Sequence, residues 1–128
     1  MKRALPGNVV RGRRAQRRGR LAEWLCCWHL RLRGWRVVAR RWRCPAGEID
    51  ILARRGGVLA IIEVKSRGDV ADAAMSILPR QRRRIGRAAQ AFLLARPDLA
   101  GLAPRFDVML VAHGCRPRHW PGVWHADA

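Results

Sequence analysis

Acidic residues are scarce in this chain of 128 residues, which contains 9 Asp plus Glu against 27 Lys plus Arg and has a formal net charge of +18. A field of this sign attracts polyanions, and nucleic acid is the most common polyanion in a cell. A GC-rich genome would explain the use of Arg in place of Lys, but not the shortage of acids. An anionic membrane surface or an acidic protein would also fit the charge. Nucleic acid is the partner that the composition favours.

Long hydrophobic runs and cysteine motifs are also missing. No apolar run approaches the roughly 18 residues that a membrane helix needs, and the basic stretch 1–20 lacks the apolar segment of a secretory signal. The four cysteines have neither metal-ligand spacing nor the pattern of a disulfide framework. Cys26 and Cys27 are adjacent on a predicted helix and are interpreted as small hydrophobic core residues. These absences predict a cytoplasmic protein with no membrane partner.

The chain has enough apolar residues for one globular domain, because 49% of its residues are hydrophobic and its length suits a single core. We expect residues 1–128 to form one domain, with a flexible basic start over 1–10 and a peripheral tail over 113–128. No internal repeat and no linker of domain-separating length divides the sequence.

Two helices are indicated by apolar residues at helical spacing. The first is predicted over 11–33 and ends before Gly34, which suits a helix C-terminus. Its core-facing stripe is predicted to consist of Leu21, Trp24, Leu25, Trp28 and Leu32. The second helix begins at Pro79, a residue that suits the first helical position, and ends before Pro97. Its stripe consists of Ile85, Ala88, Ala89, Phe92 and Leu93.

Four β-prone runs are predicted, over 35–42, 47–53, 58–65 and 105–111. The order helix, three strands, helix, strand allows the first three strands to form an antiparallel meander. The second helix then carries the chain to a fourth strand, parallel to the third, by a right-handed crossover. The sequence therefore predicts an α/β fold in which a mixed sheet is flanked by helices.

The two middle runs are joined by a Gly-Gly pair at 56–57, which is typical of a two-residue hairpin turn. With that turn, Asp50 lies opposite Glu63, and Glu48 lies opposite Lys65. Because side chains alternate along a strand, all four share one face of the hairpin. Facing Cβ atoms are about 4.5 to 5.5 Å apart, so the two carboxylates are expected to be neighbours.

Two carboxylates at this separation repel each other, and a cation between them removes the penalty. Hard divalent ions such as Mg²⁺ or Mn²⁺ take carboxylate oxygens as ligands. Lys65 is one of only two lysines in the chain, and its compact ammonium can contact a phosphate or orient a metal-bound water in ways that a planar guanidinium cannot. A simpler interpretation is also open. In it, Glu48 and Lys65 form an ordinary cross-strand ion pair, and Asp50 and Glu63 are solvated.

These residues resemble motifs of a known nuclease superfamily. The segments Gly-Glu-Ile-Asp at 47–50 and Glu-Val-Lys-Ser-Arg at 63–67 resemble the PD-(D/E)xK nucleases and, within them, the YraN-like family of small bacterial proteins. Weaker matches are found at 22–23, 34–35 and 105–108. The resemblance extends from about residue 19 to residue 111.

The resemblance implies a restriction-endonuclease-like αβββαβ core and a metal site. Asp50 and Glu63 would bind Mg²⁺ or Mn²⁺ together with the backbone carbonyl of Val64, and Lys65 would position the attacking water. Glu23 on the first helix matches an acid that some members use as a further metal ligand. Such a site cuts phosphodiester bonds by metal-assisted hydrolysis.

The sequence departs from the superfamily at two positions. Ile49 replaces the proline that often precedes the first aspartate, and Gln81 lies where the family often has a lysine. Gln81 and Glu48 are interpreted as supporting residues of the predicted site.

Arginines cluster at the start of the second helix, where they are expected to contact a phosphate backbone; the alternative is a solvated basic face. They are Arg80, Arg82, Arg83, Arg84 and Arg87. Such contacts give affinity without reading base sequence. In the tail, Trp120 and Trp124 are expected to pack over a sheet edge, and the histidines to lie at the surface. Asp107 is expected to pair with a nearby arginine.

Two functions fit these observations. The first is a Mg²⁺- or Mn²⁺-dependent endonuclease that acts on DNA, including structured DNA, with DNA favoured over RNA. The second is a non-catalytic module that keeps the nuclease fold for binding nucleic acid or a protein. The charge alone also permits an RNA-associated basic protein. A homodimer is a candidate assembly, because small nucleases of this class often need two copies to reach both strands.

Overall fold

The computed structural model describes residues 6–66, 77–111 and 116–124. Its elements, in chain order, are α1 (Pro6–Leu32), β1 (Arg36–Cys44), β2 (Gly47–Arg55), β3 (Val58–Lys65), α2 (Pro79–Ala95), a 3-10 turn (Pro97–Leu99), β4 (Ala103–Leu110) and β5 (Arg118–Trp124). The two helices and the first four strands are those that the sequence predicts. None of the described helices is long and apolar enough to cross a membrane.

The five strands form one sheet in the order β1-β2-β3-β4-β5. The strands β1, β2 and β3 form an antiparallel meander, and β3 and β4 are parallel because α2 carries the chain from one to the other. This mixed sheet with flanking helices confirms the predicted α/β fold and its restriction-endonuclease-like αβββαβ core.

The fifth strand differs from the sequence analysis, which places a peripheral tail over 113–128. Residues Arg118–Trp124 pair with β4 and form an edge of the sheet. Pro121 and Gly122 interrupt the alternation of apolar and polar residues that indicates a strand. Proline, which has no backbone N–H to donate, is tolerated at an edge because no further strand needs a donor at that position. Of the predicted flexible start, residues 6–10 belong to α1, and residues 1–5 lie outside the described part of the chain.

Each face of the sheet has its own hydrophobic core. On one face, the residues that pack with α2 include Leu52, Ile61, Ile85, Phe92 and Val108. On the other face, the residues that pack with α1 include Cys26, Leu30, Ile51, Ile62 and Met109. Glu63, two residues beyond Ile61, lies on the α2 side of the sheet. At the start of β2 the alternation breaks, because Ile49 packs on the α2 side and Ile51 on the α1 side.

The predicted core stripe of α1 is wrong for four of its five residues, and only Leu25 packs against the core. The large apolar residues face solvent, with exposed fractions of 56%, 50%, 47% and 79% for Leu21, Trp24, Trp28 and Leu32. Over residues 19–32, the part of the helix whose side chains are described, the buried residues are Ala22, Cys26, Cys27 and Leu30. Both sets have helical spacing, but the buried set has smaller side chains, which let the helix approach a sheet face that includes Ala53 and Ala60. The interpretation of the two cysteines as core residues is confirmed.

Candidate functional site

The turn between β2 and β3 has two residues, as the sequence predicts. Arg55 pairs with Val58 across the turn, and the ladder continues in the predicted register to Ile51 and Ile62. Gly56 has a φ of 58°, a left-handed conformation that glycine adopts without strain. The register that the prediction of the site depends on is therefore correct.

The carboxyl group of Asp50 joins the two strands beyond the last ladder pair. Val64 N donates a hydrogen bond to Asp50 Oδ2 at 2.8 Å. The Glu63 side chain is only 13% exposed, and each of the two carboxyl groups lies close enough to the other to shift its pKa. Asp50 and Glu63, which the sequence predicts to be neighbours, are neighbours in the structure.

Burial makes it costly to ionise these two acids together. Removal from water is the main cause that raises the pKa of Glu63 to about 8, and repulsion from Asp50 raises it further, while Lys65 opposes the rise. Burial also raises the pKa of Asp50 to about 6, against the lowering effect of the Val64 N–H. A divalent cation would compensate both charges, and two carboxylates are hard oxygen ligands of the kind that Mg²⁺ prefers.

One ammonium and one amide contact Glu63. Lys65 Nζ lies 3.7 Å from Glu63 Oε1, and Gln81 Nε2, in the first turn of α2, donates a hydrogen bond to the same oxygen at 3.3 Å. The expected cross-strand pair of Glu48 with Lys65 does not form. Glu48 lies instead 3.3 Å from Arg43, because the start of β2 pairs with β1 beyond the end of the β2–β3 ladder.

A cavity of about 840 Å³ lies over the two acids, between the β2–β3 hairpin and the start of α2. Its hairpin side contains three acids, which are Glu48, Asp50 and Glu63. Its helix side is basic and contains Arg80, Gln81, Arg83 and Arg84. The fold therefore places cationic side chains opposite an acidic wall, an arrangement that can hold a phosphate group beside a carboxylate-bound cation.

Two of the five predicted phosphate-binding arginines do not line this cavity. Arg82 Nε donates a hydrogen bond to the backbone oxygen of Ile77 at 2.9 Å, and its guanidinium lies 5.7 Å from the Trp124 ring centroid. Arg87 lines a separate cavity of about 300 Å³, which it shares with Arg83 and Phe106. Arg80, Arg83 and Arg84 are the members of the cluster that face the acids.

Glu23 does not join the two acids. Arg41 Nε lies 2.6 Å from Glu23 Oε2, and Glu23 lines a different cavity, formed by α1 and β1. Its negative charge nevertheless raises the pKa of Asp50. Among the described residues, no group of three or more His, Cys, Asp or Glu side chains is placed to hold a metal ion. Asp50 and Glu63 therefore stand without Glu23 in the cavity that they line.

A second polar cluster surrounds Asp107, which is fully buried. Arg105 donates two hydrogen bonds of 2.9 Å to its carboxylate, and His119 Nε2 and Gly122 N lie 2.7 and 2.9 Å from its oxygens. Asp107 is beside Ile62 in the parallel β3–β4 ladder, and therefore on the α1 side of the sheet. The predicted pairing with an arginine is confirmed.

The histidine and tryptophan predictions for the tail have mixed outcomes. His119 is half-buried instead of lying at the surface, because it bonds Asp107. Trp124 is buried at the sheet edge as predicted, and its ring stacks on Phe106 with centroids 5.2 Å apart. Residues 113, 115 and 125 lie outside the described part of the chain. The sequence signal for the Asp107 cluster was Arg105 two residues earlier on the same strand face.

Comparisons with known proteins identify the family of the chain. The model of the uncharacterised protein family UPF0102 matches residues 22–111. A UPF0102 protein of Parvibaculum lavamentivorans is 50% identical over 121 residues, which are 94% of this chain and 91% of that protein. UPF0102 proteins of Paramagnetospirillum magneticum and Rhodopseudomonas palustris (strain BisB18) are 48% and 47% identical, over 88% of this chain and 91% and 84% of theirs. The YraN-like resemblance is consistent with these matches, and the chain belongs to the UPF0102 family.

Proposed function

We propose that this protein is a divalent-metal-dependent endonuclease that hydrolyses phosphodiester bonds in DNA. The observation that carries the proposal is that the half-buried carboxyl groups of Asp50 and Glu63 line one cavity, with Lys65 Nζ 3.7 Å from Glu63 Oε1. If Glu63 and Lys65 formed an ion pair that only stabilised the fold, no second acid would be needed beside Glu63. The presence of Asp50 there lowers the stability of the fold unless a cation binds with it.

Each residue of the site has a distinct part in this proposal. Asp50 and Glu63, with the backbone carbonyl of Val64, would hold Mg²⁺ or Mn²⁺, and the Val64 N–H orients the Asp50 carboxylate. Lys65 stabilises negative charge on the phosphoryl group and positions the attacking water. Gln81 fixes the Glu63 carboxylate through its hydrogen bond. A metal held there would supply polarisation of the phosphate and a lowered pKa of the attacking water.

The basic side of the cavity supplies affinity for the DNA backbone. Arg80, Arg83 and Arg84 are exposed residues in the first two turns of α2, opposite the acids. Guanidinium groups bind phosphate oxygens through two parallel hydrogen bonds. Because phosphate contacts carry no base information, this side of the cavity is expected to orient DNA without selecting a sequence.

Cleavage of DNA by the Asp50→Asn and Lys65→Ala variants tests this proposal. Wild type should nick or cut a panel of branched, single-stranded and duplex DNA with Mg²⁺ or Mn²⁺ and not with EDTA. Each variant should lose at least about 100-fold in rate, since even residues outside the metal's own ligand set typically cost about 10- to 100-fold. Asp98→Asn is the matched control, because Asp98 is an exposed acid paired with Arg96 far from the cavity. Cleavage that persists in both site variants rejects the mechanism.

A non-catalytic nucleic-acid-binding module is the second candidate function. It is favoured by Glu23, the acid that the resemblance implies as a further metal ligand, because Glu23 pairs with Arg41 and lines a different cavity. This function requires DNA binding that weakens steeply with salt, is unchanged by EDTA, and is not accompanied by cleavage. Metal-dependent cleavage that is lost in Asp50→Asn decides against it.

A further inference from the structure

The outer face of α1 has large apolar side chains that the fold does not bury. We call the set Leu21, Trp24, Trp28 and Leu32 the α1 tryptophan face. About half of each indole is exposed, with fractions of 50% for Trp24 and 47% for Trp28. Their ring centroids are 6.1 Å apart, with an angle of 73° between the ring planes. Both rings therefore present aromatic surface to a partner.

Arginines surround this face. Arg31 Cζ lies 5.8 Å from the Trp28 ring centroid. Trp24 lines a cavity of about 610 Å³ together with Glu23, Arg20, Arg40 and Arg41. Within the described residues, the ion pair in this cavity joins Arg41 to Glu23, and no described acid pairs with Arg20 or Arg40. The cavity beside Trp24 thus combines an aromatic ring with cations available to an anion.

Half-exposed indoles beside available arginines match the chemistry of single-stranded nucleic acid. Unpaired bases stack on aromatic rings, and the backbone phosphates follow the cations. A duplex fits poorly, because its bases are already stacked on one another. A second copy of this chain also fits poorly, since each copy has a net charge of +18 and the contact would bring arginines together.

We propose that the α1 tryptophan face binds single-stranded DNA, with Trp24 as the stacking platform for an unpaired base and Arg20 and Arg40 as the phosphate contacts. This deepens the proposed nuclease function, and it rests on that function for the choice of DNA. The substrate class that follows is DNA that contains an unpaired segment.

Binding of a labelled oligothymidylate, followed by fluorescence anisotropy in EDTA at one fixed salt concentration, tests the proposal. Trp24→Ala should raise the Kd about tenfold, roughly the loss of one stacked base, and Trp24→Phe should restore most of the affinity. Leu94→Ala is the matched control, because Leu94 is an 84% exposed apolar residue on α2. It should leave the Kd unchanged.

Three further measurements separate loss of stacking from loss of the fold or of charge. Binding of a blunt duplex should change less than twofold in Trp24→Ala, because a duplex offers no free base. In Arg40→Ala, the slope of log K against log salt for the oligothymidylate should fall by about 0.7, the contribution of one single-strand phosphate contact. A thermal melt of Trp24→Ala that matches wild type shows that the variant is folded.

Three outcomes overturn the proposal. They are an unchanged oligothymidylate Kd in Trp24→Ala, an equal loss for single-stranded and duplex DNA, and a wild-type dimer that Trp24→Ala converts to monomer in sedimentation. Because binding is measured without metal, failure here leaves metal-dependent cleavage intact. Failure of the proposed function would instead leave cleavage unaffected in Asp50→Asn while single-strand binding persists.

Discussion

Glu63 is the central residue of the site, because it lies next to Asp50, Lys65 and Gln81. Its position opposite Asp50 is predictable from sequence, since a two-glycine turn allows one register and that register places both acids on one face. Its contact with Gln81 is not predictable in this way. It joins residues 18 apart in the chain, and it depends on how α2 packs on the sheet.

The raised pKa of Glu63 predicts a stability that depends on pH. A group whose folded pKa is raised stabilises the fold below its unfolded pKa, here an ordinary value of 4.5, and that contribution is lost as pH rises through about 8. Glu63→Gln removes the cost of ionisation. In metal-free buffer at a pH near 8.5, we expect this variant to melt at least about 3 °C above wild type. Near pH 4.5, the two should melt together.

Thermal melts of wild type and Glu63→Gln across this pH range, with and without Mg²⁺, check the prediction. Added Mg²⁺ should raise the Tm of wild type at high pH and leave the variant almost unchanged. Asp98→Asn serves as the control, because Asp98 is an exposed acid outside the site. A Glu63→Gln variant that is less stable than wild type above pH 8 would contradict the assignment of Glu63 as a strained, buried acid.

At the scale of elements, the predictions from sequence fail for the buried face of α1 and for the existence of β5. Helical periodicity identifies α1, but two faces of that helix have apolar residues at helical spacing. A prediction based on hydrophobicity assigns to the core the face with the larger side chains. The structure buries the smaller face because the sheet beneath it includes Ala53 and Ala60 and allows close approach. β5 is missed because Pro121 and Gly122 break the strand pattern, and only pairing with β4 makes it a strand.

The packing of α1 can be tested by adding and removing volume on its two faces. Ala22 is 3% exposed and packs on the sheet, so Ala22→Leu should overpack the core and cost about 1 to 3 kcal/mol. Leu21 is 56% exposed, so Leu21→Ala should change the free energy of unfolding by less than about 0.5 kcal/mol. Urea unfolding measures both. A larger loss from Leu21→Ala would show that the helix packs on the sequence-predicted face.

The attachment of β5 to the sheet depends on Asp107. Burial opposes ionisation of this acid, but hydrogen bonds from His119, Arg105 and the Gly122 N–H outweigh burial and lower its pKa below the ordinary 3.8. Asp107→Asn leaves the Arg105 charge uncompensated and should destabilise the protein by about 3 kcal/mol at neutral pH. Amide hydrogen exchange of β5 should accelerate more than that of β2.

The pH dependence of the Asp107→Asn effect has the opposite sign to that of Glu63. A lowered folded pKa gives stability that is present above the unfolded pKa and is lost as pH falls through the folded value. The difference between wild type and Asp107→Asn should therefore shrink below about pH 4, in urea unfolding at a series of pH values. A difference that stays constant into acid would show that Asp107 acts through packing alone.

At the scale of the whole molecule, the order of the helices and strands is predictable, and so is the net charge. Connection rules then leave few ways to arrange three antiparallel strands and a crossover helix, and the observed topology is one of them. How the charge of +18 is distributed is not predictable from composition. The fold separates it into a basic rim opposite Asp50 and Glu63 and a second basic region beside Trp24.

The central claim is that Asp50 and Glu63 together hold one divalent cation. Titration of the purified chain with Mn²⁺, with free ion followed by electron paramagnetic resonance at pH 8, tests it most directly. The account predicts one site per chain in wild type and Asp98→Asn, and loss of that site in both Asp50→Asn and Glu63→Gln. Mn²⁺ binding of equal affinity in all four proteins, or no binding by wild type, would contradict it.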